Sequence, residues 1–263
     1  MKSQKELFII AGPCVVESYD MLKETASHLS IICKKMGIKL YFKSSYKKAN
    51  RTSVGSFTGI GDEEALEYLK MISEEFDLPV LTDVHTAEEA KLAAKYTHVL
   101  QIPAFLCRQT ELLQAAGETG KIINIKKGQF MAPDDMKKAA AKVTSTGNNR
   151  VWLTERGTSF GYHDLVVDFR SLLMMKESGF PVVFDATHSL QKPSIGTQSG
   201  GLPQFILPLA RAAVATGIDG LFFETHPDPA KAKSDAATQL PLHKAEDLIR
   251  HVNEIHKMMQ NLE

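Results

Sequence analysis

The chain has 263 residues, with 31 Lys+Arg against 31 Asp+Glu and 43% hydrophobic residues. That length supports one large core, and the balanced charge excludes the broad basic face that nucleic acid or an anionic membrane would require, so any anion site has to be local. The apolar run near the start is too short for a secretory leader, and no stretch approaches the roughly 20 apolar residues of a membrane span; with only three cysteines, no disulfide framework is expected, and the chain reads as a cytoplasmic protein with reduced thiols.

Short β-rich runs recur along the chain, each followed by a loop and then by apolar residues at helical spacing. In order they are LFII (7–10), LYFK (40–43), PVLTD (79–83), HVLQI (98–102), IINIK (122–126), VWLTE (151–155), PVVFD (181–185) and LFFE (221–224). Behind the first, Leu22, Ala26, Leu29, Cys33 and Met36 fall on one helical face, which makes Cys33 a core residue. Behind the last, Leu248, Val252, Ile255 and Met259 do the same. No Pro/Gly/Ser-rich linker divides the chain, and no G-x-G-x-x-G follows a strand. Eight β-then-α units at this length predict an α/β fold of one domain, residues 1–263, closed as a single (β/α)8 TIM barrel rather than opened as a doubly wound sheet.

Such barrels carry their chemistry at the carboxyl ends of the strands. There stand Cys14, Lys43, Asp83 and His85, Gln101, Lys126, Glu155 and Arg156, Asp185 and His188, and Glu224 and His226, so that every strand contributes. Helix caps and turns would account for any one of them alone. The lysines closing LYFK and IINIK fit that explanation poorly, because cations facing a common mouth repel one another without an anion between them. The loop FKSSYKKANRTS (42–53) adds Lys47, Lys48 and Arg51, although a solvated loop is also lysine-rich. Farther on, Ser199-Gly200-Gly201 precedes the apolar helix LPQFILPLARAAVATG (202–217), whose unpaired N–H groups suit a phosphate. Two separated anions are expected.

Cys14, in FIIAGPCVVES (8–18), has three readings: a packing residue, a nucleophile with His188 or His226 as its base, or a metal ligand. Cys14, His188, Glu224 and Asp235 come from the ends of the first, seventh and eighth strands and from the loop after the eighth, which are neighbours in a closed barrel. A thiolate, an imidazole and one or two carboxylates suit one divalent transition metal such as Fe, Zn, Mn or Co. His85 and His226 are rival ligands. Cys107 follows Phe105 and Leu106 and reads as a small buried apolar residue, while Glu17 reads as a charge at a helix start.

The motifs AGPCVVES, FKSSYKKANRTS, LTDVH, LQIPAFLCRQTEL, NIKKGQFMAP, TERGTSFGYHDLVVD, FDATHSLQ, SGG and FFETHPDPAKAKSDAATQLPL together resemble the 3-deoxy-D-manno-octulosonate 8-phosphate synthase family along the whole chain. A related family, 3-deoxy-D-arabino-heptulosonate 7-phosphate synthase, which takes erythrose 4-phosphate, shares Gly-Pro-Cys but typically reads Lys-Pro-Arg-Thr where this chain has Lys48-Ala49-Asn50-Arg51. The resemblance implies an enzyme of lipopolysaccharide biosynthesis, commonly a homotetramer, that joins phosphoenolpyruvate to D-arabinose 5-phosphate and water without a Schiff base, releasing inorganic phosphate. It implies that Lys48, Lys126 and Arg156, with Lys43, Ser45, Gln101 and Arg108, hold phosphoenolpyruvate, Arg108 reaching a neighbouring subunit's site. Asn50, Arg51 and Ser199 would hold the sugar phosphate, Asp83 would bond the sugar hydroxyls, and His85 would serve a nearby water. Metal-independent members carry asparagine at the position of Cys14 and Cys-Asp-Gly-Pro where this chain reads Ser234-Asp235-Ala236-Ala237. The resemblance therefore also implies the metal-dependent class, with Cys14, His188, Glu224 and Asp235 as ligands. The competing readings are a Schiff-base aldolase on Lys43 or Lys126, and a phosphosugar-binding barrel that has lost catalysis.

Overall fold

The computed structural model describes residues 6–50, 55–192 and 200–262. Eight strands, β1 (Phe8–Gly12), β2 (Lys39–Lys43), β3 (Val80–Asp83), β4 (Val99–Ile102), β5 (Ile122–Lys126), β6 (Val151–Glu155), β7 (Val182–Asp185) and β8 (Gly220–His226), pair in chain order. The circle closes where β8 runs parallel to β1, in a register that sets Phe8 opposite Gly220 and Gly12 opposite Glu224. Helices follow the strands: α1 (Tyr19–Met36), α2 (Asp62–Phe76), α3 (Ala87–Ala93), α4 (Thr110–Glu118), α5 (Met136–Thr144), α6 (Arg170–Lys176), α7 (Ile206–Ala215) and α8 (Ala245–Gln260). The expected (β/α)8 barrel is the fold observed. Among the described residues no helix is long and apolar enough to cross a membrane.

Local chemistry sets the helix ends. Ser18 caps α1 by accepting the Met21 N–H at 3.3 Å, and Gly37 closes it in the left-handed conformation, at φ 68°. Leu22, Ala26, Leu29 and Cys33 are buried along the face that the spacing predicts. The helix expected from residue 202 begins at Ile206, because Pro203 opens a short 3-10 turn ahead of it.

Strand alternation divides the core in two. Side chains at one parity, Ile9, Leu40, Val80, Leu100, Ile123, Leu153, Val182 and Leu221 among them, pack outward against the helices. Those at the other parity form the barrel interior: Ile10, Tyr41, Leu81, Val99, Trp152, Val183 and Phe222, with Phe8 and Ile122 against them. Phe8 and Trp152 stack at 4.6 Å and Tyr41 meets Trp152 edge-on at 4.8 Å, so aromatic rings plug the amino end of the barrel. The same parity continues upward into Lys43, Asp83, Gln101, Asn124, Lys126, Thr154, Asp185 and Glu224, all within the carboxyl-end layer.

Gly12 is where β1 hands the chain to Cys14. A Cβ on Gly12 would lie 2.1 Å from the Lys43 carbonyl oxygen, a backbone atom that cannot yield. Gly12→Ala is expected to cost roughly 3 kcal/mol, a fall of about 6–12 °C in melting temperature, and differential scanning calorimetry checks it.

Candidate active site

At the carboxyl end of the barrel lies a cavity of about 400 Å³ whose lining includes Lys43, Ser45, Lys48, Asn50, Asp83, His85, Gln101, Lys126, Arg156, His188 and Asp235. Strand ends and the loops after β2 and β8 thus bring most of the expected site residues to one place. Arg51 and Ser199 lie outside the described residues. Arg108 is exposed and lines a second cavity with Phe130, Asp135 and Lys142, not the first.

Cys14 and Glu224, each 1% exposed, lie behind Asp235. The Cys14 thiol donates to Asp235 Oδ2 at 3.0 Å, and one ligand atom each from Cys14, Glu224 and Asp235 falls within 4.8 Å of the others. His188 borders this group, with Nε2 3.5 Å from Glu224 Oε1 and Nδ1 held by Asp185 Oδ2 at 2.8 Å. The rival ligands stand elsewhere: His85 Nδ1 contacts Glu89 at 2.8 Å, and His226 Nδ1 accepts the Asp228 N–H at 3.0 Å while Nε2 faces Glu17 at 3.7 Å. Burial, then the charges of Asp235 and Glu224, push the Cys14 thiol well above its ordinary value despite Lys48 and Lys43. Burial acts to raise Glu224 as well, but His188 and Lys43 outweigh it and the carboxyl is lowered.

The loop carrying Asp235 is fastened from below. The Cys14 N–H donates to Gln239 Oε1 at 3.3 Å, and Gln239 Nε2 donates to the Ser234 carbonyl at 2.9 Å. Glu17, read from sequence as a helix-start charge, stands just before the cap of α1 and also accepts the Lys233 N–H at 2.9 Å, across 216 residues. Asp235 itself is left-handed, at φ 48°, a conformation that aspartate tolerates better than most side chains and that is held here by the surrounding contacts.

The cations interleave with carboxylates. Lys43 Nζ reaches Glu224 Oε1 at 2.7 Å, Lys126 Nζ reaches Asp185 Oδ2 at 2.7 Å, and Lys48 Nζ stands 3.4 Å from Asp235 Oδ2. Burial lowers Lys126 in spite of Asp185, whereas Lys48 is raised because Cys14 and Asp235 outweigh its burial. Asp83 accepts from Ser45 Oγ and Gln101 Nε2; burial would raise it, but Lys43 and Lys126 hold its carboxyl well below the usual range. Behind Gln101 a chain of donors runs around the inside of the barrel: Thr154 Oγ1 donates to Asn124 Oδ1 at 2.6 Å, and Asn124 Nδ2 to Gln101 Oε1 at 2.9 Å. Since an ionised carboxylate only accepts, Asp83 fixes the direction of every amide in the chain.

Arg156 differs from the other cations. It is 5% exposed and donates through Nη2 to the His188 carbonyl at 3.3 Å and to Gln191 Oε1 at 2.9 Å, while Nη1 is buried without a partner. Among the described residues it makes no ion pair, and burial lowers its pKa. Gln191 also donates to Asp235 Oδ1 at 3.0 Å, which links the arginine to the thiol cluster.

Sequence reasoning missed Gln191, Gln239, Asn124, Glu89 and Lys127. Asn124 has the same parity as Lys126, a readable signal. Lys127 has the opposite parity and is fully buried beside Glu155 at 3.5 Å, where it also meets the carbonyls of Gly128, Met131 and Gly157. Glu155 in turn accepts from the Gly157 N–H and Ser171 Oγ, both at 2.6 Å, so this pair ties down the loops that follow Lys126 and Arg156. Lys127→Met leaves Glu155 buried and uncompensated and is expected to cost about 3–5 kcal/mol in denaturant unfolding, part of which a further Glu155→Leu change recovers.

Fold and mouth together define a (β/α)8 barrel whose carboxyl-end cavity interleaves cations with carboxylates. The family model described as the DAHP synthetase I family matches residues 3–261, and the chain belongs to that family. A protein of Granulibacter bethesdensis named 2-dehydro-3-deoxyphosphooctonate aldolase is 54% identical over 247 residues, covering 94% of this chain and 88% of the relative. One of the same name from Fusobacterium nucleatum is 48% identical over 260 residues, 98% of this chain and 94% of the relative. Another from Koribacter versatilis is 56% identical over 241 residues, 90% and 86% respectively.

Proposed function

We propose that the chain condenses phosphoenolpyruvate with D-arabinose 5-phosphate and water to give 3-deoxy-D-manno-octulosonate 8-phosphate and inorganic phosphate, the reaction for which its relatives are named. Arg156 is the observation that carries this reading. A buried guanidinium with no carboxylate partner and an unpartnered Nη1 among the described residues is costly unless an anion completes it, and phosphoenolpyruvate offers a carboxylate and a phosphate. Lys48 and Lys126 flank the same space, with Lys43, Ser45 and Gln101 below them. Asn50 and Asp83 line the cavity too, and in this reading Asn50 meets the sugar phosphate and Asp83 the sugar hydroxyls.

In this reading the C3 carbon of phosphoenolpyruvate attacks the sugar aldehyde while water adds at C2, and phosphate then leaves by C–O cleavage. The chain's own work is to hold two like-charged molecules in contact and to meet the charge that develops on their oxygens with cations already in position. A Schiff base on Lys126 would first have to break its 2.7 Å ion pair with Asp185. The reading includes a homotetramer in the cytoplasm, with Arg108 serving a neighbouring subunit. Supplying phosphoenolpyruvate with either arabinose 5-phosphate or erythrose 4-phosphate and following phosphate release tests it; release with the pentose phosphate is expected, and release with the tetrose alone would transfer the chain to the heptulosonate reading.

We also propose that Cys14, Glu224 and Asp235, with His188 beside them, hold one divalent transition metal. Glu224 Oε2 is buried without a partner, and the thiol is held protonated by burial and by the two carboxylates, a balance that a cation would reverse. His188 offers Nε2 because Asp185 occupies Nδ1, the usual support of a ligating imidazole. Such an ion supplies Lewis acidity toward a carbonyl oxygen or a water. A strong chelator is expected to lower turnover about a hundred-fold, with recovery on adding a divalent ion, and Cys14→Asn is expected to bind less metal by elemental analysis. A wild-type enzyme of undiminished rate, free of metal after chelation, would sink this assignment.

A further inference from the structure

Glu89, in the first turn of α3, holds two residues of the mouth at once. Its Oε2 accepts the His85 backbone N–H at 2.8 Å and lies 2.8 Å from His85 Nδ1. Its Oε1 lies 2.7 Å from Lys47 Nζ, which also reaches Asp62 Oδ2 at 2.9 Å. Thr86 caps the helix by accepting the Glu89 N–H at 3.2 Å, so the same turn fixes both ends of the contact. The His85 and Glu89 side chains are 9% and 14% exposed, unlike a mobile surface pair. Burial acts to raise the Glu89 carboxyl, but hydrogen bonds from His85 and Lys47 outweigh it and hold it down at about 2. Near neutral pH it is therefore an acceptor only, and an acceptor against Nδ1 demands a proton on Nδ1. The lone pair of a neutral imidazole then falls on Nε2, which has no protein partner among the described residues, in a side chain that lines the cavity.

We infer that Glu89 is a positioning residue that fixes His85 as the Nδ1–H tautomer, leaving Nε2 as the free acceptor at the mouth, while its second oxygen anchors Lys47 to the same point. In the condensation reading, on which the catalytic half of this inference rests, His85 Nε2 is then poised to take a proton from the attacking water.

Long-range 1H–15N spectra of the protein labelled with 15N-histidine, recorded where the ring is neutral and assigned with His85→Gln, read the tautomer directly. Wild type is expected to show Nδ1–H, Glu89→Gln to swing toward Nε2–H, and Lys47→Met to keep Nδ1–H. Glu89→Gln is also expected to lower kcat roughly ten- to hundred-fold, with KM for phosphoenolpyruvate within about two-fold of wild type. A wild-type ring found as Nε2–H overturns the inference without any variant, as does Glu89→Gln with an unchanged spectrum and kcat. Wild-type protein with the expected tautomer but no phosphate release would defeat the condensation reading instead, leaving the tautomer assignment intact.

Discussion

The mouth of this barrel is organised around the Lys43 ammonium. Its Nζ reaches Glu224 Oε1 at 2.7 Å, the Cys14 carbonyl at 3.1 Å and Ser45 Oγ at 3.0 Å, with the residue 1% exposed. Because β2 and β8 flank β1, this one group joins both neighbours of the strand that delivers Cys14. Burial acts to lower its pKa, but Glu224 and Asp83 outweigh burial and raise it. A neutral group in its place would take this cation from the buried Glu224 and the part-buried Asp83 and leave the Cys14 carbonyl without this donor. The thiol–carboxylate cluster and the Asp83 side of the cavity are thus one electrostatic unit.

That unit is nearly neutral by construction. Lys43, Lys48 and Lys126 each stand beside a carboxylate, which agrees with a chain whose charges balance overall. What distinguishes the site is orientation rather than raw positive potential: the carboxylates hold each ammonium at a fixed point, and Arg156, with no ion pair among the described residues, presents an unused N–H. For the two like-charged substrates proposed above, such fixed donors do more than a diffuse field, since they need not reorganise as charge moves between oxygens.

Much of this was legible in the sequence because strand alternation is a rigid rule. Lys43, Asp83, Gln101, Lys126 and Glu224 share parity with the apolar residues below them, so a correct strand assignment already points them into the barrel. What the rule cannot reach is contact between distant loops or a choice between neighbours. Glu17 reads as a helix-start charge beside Ser18, and nothing local shows that it holds the Lys233 N–H as well. Glu88 and Glu89 are equivalent in composition, and only the turn begun by Thr86 decides that Glu89 faces His85. Lys127 has the parity of an outward residue, and its burial depends on loops from β5 and β6 folding over it together.

So many buried ions weaken a fold, and the compensation lies one layer down. Phe222, inward on β8, separates the aromatic plug from the mouth: Lys126 Nζ stands 3.9 Å from its ring centroid, Lys43 Nζ 5.7 Å, and the His188 ring 5.6 Å. The negative face of that ring gives the cations a favourable surface that brings no proton acceptor or water beneath them. Below it, Phe8, Tyr41 and Trp152 bury against one another, and Gly220 carries no side chain because Phe8 fills its space, where an added Cβ would come within 2.5 Å of the ring. The barrel therefore stacks a dispersion-held floor, one aromatic septum and an ionic mouth along the same eight strands. A ligand that completes the mouth by pairing Arg156 also stabilises the fold, through the mass action that links binding to unfolding.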